Sequence, residues 1–475
     1  MTSDGRPVSV VDPGKRNVDG GPDFKHATVR IGNTLYVGDV EIHRSAKEWT
    51  AHAHDRDPNY NRVILHAVLT GGSRSNATES GRIVPELIIG EYLHEVPARA
   101  WKNIYESDQG LGNQRILCSG RNDGVDRLVI ERWVLALAHQ RLQLKVRKFH
   151  ERLKQLIDGS WSVVHEPHRR YVGEPKEVPD FSTEYTRHDY AREDLWNQVL
   201  YEGILEGLGY SKNRQPLERL ARNVTLRFLR NQTEAAPPEE QLKLIQGILF
   251  GVAGLLPAIW TAHDRDSRSL LRDLRKRWKQ TRPTYKGPIM HRADWQFFRL
   301  RPQNFPTPRL AAASLLALRF LRGGPLKATV SIVKNQSIDS RRKLQLFHEM
   351  LSVEADDFWS THYTFYRRSE ERIHNLVGVD RANDIIVNTV VPVCLLYARI
   401  FRDREVQAVA MDLLRHLSGM SGNALTRLMD RELLRGNVDT GVAMVQQGVI
   451  QLYTFYCTEG RCSECAVGQR TIAKP

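Results

Sequence analysis

GGPDFKHATVRIGNTLYVGDVEIH, residues 20–43, decides how this chain is read. Lys25–Ile31 and Leu35–His43 alternate apolar and polar residues, the period of a half-buried strand, and Gly32-Asn33 between them is hairpin chemistry. A hairpin brings the start of its first strand beside the end of its second. Asp23 at one entrance and Glu41 near the other end therefore converge. Asp39, Glu41 and His43 are spaced by two and share one face of their strand. Two carboxylates at such a junction can hold Mg²⁺ or Mn²⁺, with water and phosphate oxygens completing the coordination sphere. Such a cation activates water and neutralises charge developing on a phosphodiester.

Around this hairpin, Arg6–Asp12 and Arg62–Leu69 read as further strands and Ile83–Ile89 as another. A short helical stretch begins at Ser45, and Gly71–Gly81 is a polar loop. The expected class is α+β: a small N-terminal mixed-sheet domain over residues 1–120, a large all-α region over 121–455, and a C-terminal cysteine cluster in 456–475. The helical period begins near Val125 and runs to Ile157. It returns in Leu195–Leu208, Pro216–Leu229, Glu239–Leu256, Ser267–Gln280, Pro308–Leu321, Arg341–Leu351, Asp380–Arg402, Arg404–Leu417, Asn423–Leu434 and Gly441–Phe455. Glu166–Tyr185 is a Pro- and charge-rich connector.

The segment from Gly20 to His66 resembles the PD-(D/E)xK nuclease superfamily. There a Pro-Asp opens one strand and Glu-x-Lys lies on its neighbour; here the residues are Pro22-Asp23 and Glu41-Ile42-His43. The resemblance implies a metal held by Asp23 and Glu41, with the Ile42 carbonyl as a further ligand. His43 stands where the superfamily has lysine: a neutral imidazole can orient or deprotonate water, but it lacks the lysine's fixed charge. The whole chain also resembles an uncharacterised bacterial family designated domain of unknown function 2851. The matching stretches include GDVEIH (38–43), DPNYNRVILHAV (57–68), LYEGILEGLGYSKN (200–213), FRLRPQNFPTPRLA (298–311) and YCTEGRCSEC (456–465). That second likeness carries no activity.

His52, His54 and the strand-borne His66 follow the hairpin at once. They read either as a nitrogen-rich site for Zn²⁺ or Mn²⁺, or as a polar loop and a core histidine. Cys457, Cys462 and Cys465 form C-x4-C-x2-C, a spacing suited to Zn²⁺ or, with a fourth thiolate, an iron–sulfur cluster. Cys118 is the obvious fourth cysteine, since Cys394 lies in an apolar helix; a histidine could serve as well.

The chain's 475 residues carry 69 Lys+Arg against 55 Asp+Glu, a formal net charge of +14. Such an excess favours an anionic partner, nucleic acid first. Arg268–Arg282 is the most basic helix, offering Arg272, Arg275, Lys276 and Lys279 to a phosphate backbone. Arg141–Lys154 is a second basic helix, and Arg299, Arg301 and Arg309 around Asn304-Phe305-Pro306 form a candidate phosphate site. The composition excludes a disordered or collagen-like chain. There is no P-loop, no dinucleotide fingerprint and no nucleophile elbow. The most apolar stretch, Leu244–Trp260, falls short of a membrane span, no signal peptide is read, and five cysteines make no disulfide framework. A cytoplasmic setting is expected.

The leading expectation is a metal-dependent nuclease or phosphodiesterase acting on DNA or RNA. The alternatives are a non-catalytic nucleic-acid-binding protein on a nuclease-like scaffold, or a His/carboxylate metallohydrolase of a small molecule.

Overall fold

The computed structural model describes residues 1–17, 21–71, 76–92, 116–119, 122–159, 185–298, 300–419 and 424–472. Of the residues singled out above, Gly20, Arg299 and most of the 166–185 connector lie outside these. The fold is α+β, with an N-terminal mixed sheet and a mostly helical remainder. The chain divides into two compact units, Met1–Asn113 and Gln114–Pro475.

Among its described residues the first unit is built on one six-stranded sheet. Its strands are β1 (Val8–Asp12), β2 (Lys15–Arg16), β3 (Phe24–Ile31), β4 (Thr34–Ser45), β5 (Val63–Thr70) and β6 (Glu86–Ile88). They run in the order β1-β3-β4-β5-β6, with β2 also paired to β3. The first pairings are antiparallel; β4·β5 and β5·β6 are parallel. Gly32, at φ +60°, supplies the left-handed residue that the β3–β4 turn requires. β5 buries Val63 to Val68 without a break, as a central parallel strand does. The last strand is shorter than the expected Ile83–Ile89 because Pro85 offers no amide to a ladder.

The two faces of the sheet differ in kind. On one, Ala27, Val29, Ile31, Ile64 and Leu65 form an apolar cluster lined by Tyr36 and Val40. On the other, buried positions of β4 carry Asp39, Glu41 and His43. The crossover from β4 to β5 covers that polar face. It contains helix α1 (Glu48–Ala51) and a 3₁₀ turn at Pro58–Tyr60, and its Trp49 and Tyr60 pack with Val63 and Val84.

In the second unit the long helix α2 (Arg127–Ile157) is capped by the Asp126 carboxylate on Leu128 N at 2.8 Å. It packs on α3 (Glu193–Leu208), which is buried on nearly every side. Glycines of α3 admit Phe149 of α2 and, on another side, the helix Val379–Phe401. A Cβ on Gly203 would sit 2.6 Å from Thr389, and one on Gly207 would sit 2.7 Å from Ile385.

The expected helix Pro216–Leu229 is instead two, Arg214–Asn223 and Leu226–Thr233. Thr225 starts the second by accepting from Phe228 N. A helix at Pro325–Lys334 and four short strands between Val353 and Val377 were not legible as periodic runs. Val379–Phe401 is long and apolar enough to cross a membrane by length and composition, more so than Leu244–Trp260. Here it is mostly buried in the helical core. It widens to a π turn at Ile386–Val390, just before Pro392, whose missing amide and ring a regular α-turn would not accommodate.

The expectation that Arg141–Lys154 presents a basic face to nucleic acid is corrected by packing. Arg152 makes a buried two-bond pair with Glu202, at 2.7 and 2.9 Å. Lys148 pairs with Glu206 at 2.6 Å and Glu218 at 3.1 Å, and Arg141 and Lys145 turn toward Gln447. The charge run is an internal polar seam, because this helix is the one around which its neighbours assemble.

His150 on α2 is buried with its Nε2 3.0 Å from the Tyr190 hydroxyl, and burial lowers its pKa to about 4. Unfolded, a histidine titrates near 6.5, so the unfolded chain takes up this proton first on acidification. Stability is full above about pH 6.5 and falls as pH drops toward 4. In His150→Gln, the drop in urea midpoint between neutral pH and pH 5 is expected to be smaller than in the wild type.

Candidate functional site

The β3–β4 register pairs Phe24 with Val40, which sets Asp23 opposite Glu41. The two acids are locked reciprocally. Asp23 N donates to Glu41 Oε2 at 3.0 Å, and Ile42 N donates to Asp23 Oδ2 at 2.9 Å. The convergence expected from the hairpin is therefore present at the expected junction. Asp39 does something else. It accepts from His26 N at 3.0 Å, at a bulge where His26 takes φ +58°. Its carboxylate steadies the irregularity that bends the start of β3 toward Glu41.

Glu41 Oε1, the oxygen left over, faces imidazoles. His43 Nε2 lies 3.3 Å from it and His54 Nε2 3.4 Å. His54 Nε2 is buried and makes no hydrogen bond there. His52 Nδ1 is 3.3 Å from His43 Nε2, and His43 Nδ1 is 2.9 Å from His66 Nε2. The nitrogens of His43, His52 and His54 lie within 4.8 Å of one another, a spacing one metal ion can bridge. Of these three only His52 is exposed.

Aromatic packing holds the cluster. His54 stacks between Tyr60 (centroids 3.7 Å) and His43 (5.2 Å), and the fully buried Trp49 abuts His54 and His66. Ala53, at φ +58°, occupies the left-handed region that L-residues avoid, and that kink lets His52 and His54 both reach His43. Asp57, close by in sequence, is occupied in capping the Pro58–Tyr60 turn.

The parallel ladder extends the row. Glu41 is level with His66, and His66 with Glu86, whose Oε2 accepts from Asn76 Nδ2 at 2.9 Å; all four are buried. Asn76 and Glu86 were missed at the sequence level. The one signal was the polar Glu86 opening an otherwise apolar strand. Burial, then the neighbouring His66, His54 and His52, pull His43 down to about 3. Burial brings His66 to about 4, opposed by the neighbouring Asn76 side chain, which favours the protonated ring. Both rings are neutral at pH 7. His43 therefore supplies lone pairs, and no positive charge in the lysine's place.

The basic residues fare unequally. Arg272, Arg275, Lys276 and Lys279 are exposed on the helix Arg265–Thr281, and Arg301 is exposed too. Arg309 is not free for a phosphate. It is buried, donates to the Leu376 carbonyl, to Asn304 Oδ1 at 2.8 Å and to the Tyr210 hydroxyl at 3.2 Å, and burial lowers its pKa to about 10. Cys118, Cys457 and Cys465 share one apolar neighbourhood in the helical unit with Cys462 near them, but among the described residues their sulfurs do not reach the mutual spacing of the three histidine nitrogens. Burial and the other thiols push Cys118 up to about 11 and raise Cys457 as well.

At one strand junction of the mixed sheet, two interlocked acids thus stand beside His43, His52 and His54, whose nitrogens are close enough to meet at one ion. The chain belongs to the family described as protein of unknown function (DUF2851), whose model matches residues 1–166 and 183–422. No curated protein and no solved structure matches it.

If Ala53 is held in strain to aim two histidines, Ala53→Gly should leave stability unchanged or raise it. Ala53→Val should cost about 1–3 kcal/mol, read from urea unfolding of each variant.

Proposed function

We propose that the N-terminal unit is a divalent-metal-dependent phosphodiesterase acting on nucleic acid. Glu41, His43, His52 and His54 would hold the metal, with Asp23 beside them. The observation that carries this reading is Glu41 itself. One of its oxygens is fixed by a backbone amide, and the other faces two buried imidazole nitrogens, one of them without a hydrogen bond.

The donor set fits a metal. With His43 Nδ1–H donating to His66 Nε2, His43 Nε2 presents a lone pair toward a carboxylate oxygen. In that tautomer a bound cation would relieve the repulsion. Mixed nitrogen and oxygen ligands favour Mn²⁺ or Zn²⁺ over Mg²⁺. A metal so held lowers the pKa of water and offsets charge on a cleaving phosphodiester. Within the chain, Glu41 anchors the site and Asp23 fixes the Glu41 carboxylate through its own amide. His66 sets the proton position on His43, and the exposed His52 stands at the solvent side. The strand order, the Pro-Asp opening β3 and the Glu-x-His closing β4 favour a phosphodiester as substrate. The exposed cations Arg272, Arg275, Lys276 and Lys279 suit a polyanion.

The test is incubation with single- and double-stranded DNA and RNA in Mn²⁺, Zn²⁺ or Mg²⁺. Cleavage is expected with Mn²⁺ or Zn²⁺ and should fall at least about 100-fold in Glu41→Gln and in Asp23→Asn. Cleavage that survives both variants overturns the assignment. Salt-sensitive binding without cleavage in any metal would mark a nuclease-like scaffold that only binds.

The imidazole-rich donor set favours a second reading, a metallohydrolase of a small molecule. There His52→Ala would abolish activity on small phosphate or carboxylate esters while Asp23→Asn leaves it intact.

The four thiols we propose as a separate structural site for Zn²⁺ or an iron–sulfur cluster. Purified protein should contain stoichiometric zinc, or absorb near 400 nm if iron–sulfur. Cys118→Ser should lose that metal while the metal at Glu41 is retained.

A further inference from the structure

The helical unit contains a cavity of about 330 Å³ whose wall collects Arg141, Ser211, Arg214, Arg381, Asn388 and Gln447 from separate segments of the chain. Its cations outnumber the acids that answer them. Arg381 is taken by Asp384, and Arg214 by Glu206 at 3.0 Å. Asp384 also accepts from Asn388 Nδ2 at 2.7 Å, so its charge is shared.

Arg141 reaches only neutral amides, Gln447 at 3.0 Å and Gln451 at 3.4 Å. One turn along α2, Lys145 donates to the same Gln447 oxygen at 2.5 Å. Among the described residues neither cation has a carboxylate within ion-pair distance. Burial draws Arg141 down to about 10 and Lys145 well below its ordinary value, and each lies near other positive charge. Two like charges one turn apart, largely removed from water and unpaired, are costly to keep. The same wall carries two local irregularities. Tyr210 takes φ +53°, and the π turn Ile386–Val390 contributes Val387 and Asn388. Both kinds of distortion gather at binding sites.

We infer that this cavity binds a small organic phosphate, its phosphate monoester held by Arg141 with Lys145 and Arg214 adding to the field, and its polar body by the amides and hydroxyl of Asn388, Gln447 and Ser211. A dianion answers two unpaired cations where a carboxylate would leave one over, and guanidinium groups match phosphate oxygens in pairs. The volume suits a sugar phosphate or a mononucleotide. This site is independent of the metal reading above.

The test is thermal unfolding of the full chain in EDTA, titrated with ribose 5-phosphate, AMP, inorganic phosphate, or chloride at matched ionic strength. Ribose 5-phosphate or AMP should raise Tm saturably and at lower concentration than inorganic phosphate. Arg141→Met and Lys145→Met each remove an unpaired charge. Both should keep or raise the ligand-free Tm while weakening the apparent affinity at least about tenfold. Glu41→Gln should keep the effect in full. Protection by chloride equal to that by the phosphates, no protection at all, or protection undiminished in both methionine variants would each overturn the proposal.

Discussion

Two hydrogen bonds, Asp23 N to Glu41 Oε2 and Ile42 N to Asp23 Oδ2, fix what the N-terminal sheet can do. Each strand lends a backbone donor to the other strand's acid, so the two carboxylates are held by the same pair of strands that brings them together. A hydrogen bond to a charged acceptor contributes roughly 1.5–3 kcal/mol. The lock leaves each carboxylate little freedom to turn. Glu41 Oε1 therefore meets His43 and His54 at a set distance. Tyr60, Trp49 and the kink at Ala53 position the imidazoles, but Glu41 is the point they are positioned against.

The hairpin and its acids were legible because they depend on local rules. Alternation gave the strands, Gly32-Asn33 gave the turn, and the antiparallel register set Asp23 against Glu41. The wider row was not. His66 read either as a metal ligand or as a core histidine, since nothing in a single strand says which residue its parallel neighbour sets beside it. Asn76 sits in a polar stretch whose contact with Glu86 is settled only by the fold. The basic runs misled for a related reason. A charge pattern on a helix says how many cations there are, and packing decides which of them reach water. Arg272 and Lys276 do, whereas Arg141, Arg152 and Arg309 are drawn inside. The break between the helices at Val224 turned on one threonine cap, which competed with an apolar period that ran straight through it.

The two units bury opposite kinds of charge. The sheet places Asp39, Glu41 and Glu86 on one covered face and satisfies them with backbone amides and an asparagine. The helical unit draws arginines and lysines inward and satisfies some with Glu202, Glu206 and Glu218. The net charge of +14 is nevertheless a poor guide to the outer surface, because part of the basic excess lies inward on cations such as Arg141 and Arg309 that meet amides and carbonyls rather than acids.

The π turn at Ile386–Val390 holds one residue more than the α-helical path on either side of it. Every residue of an α-helix advances the azimuth by about 100°. Deleting a single residue there would restore a regular helix and swing Arg381, Asn383 and Asp384 by that angle relative to Val391–Phe401. The polar wall they form would then turn into the packing around α3, while hydrophobicity and overall composition barely changed. A relative one residue shorter at this turn is therefore expected to lack the cavity. An aligned gap would mark it more sharply than any substitution.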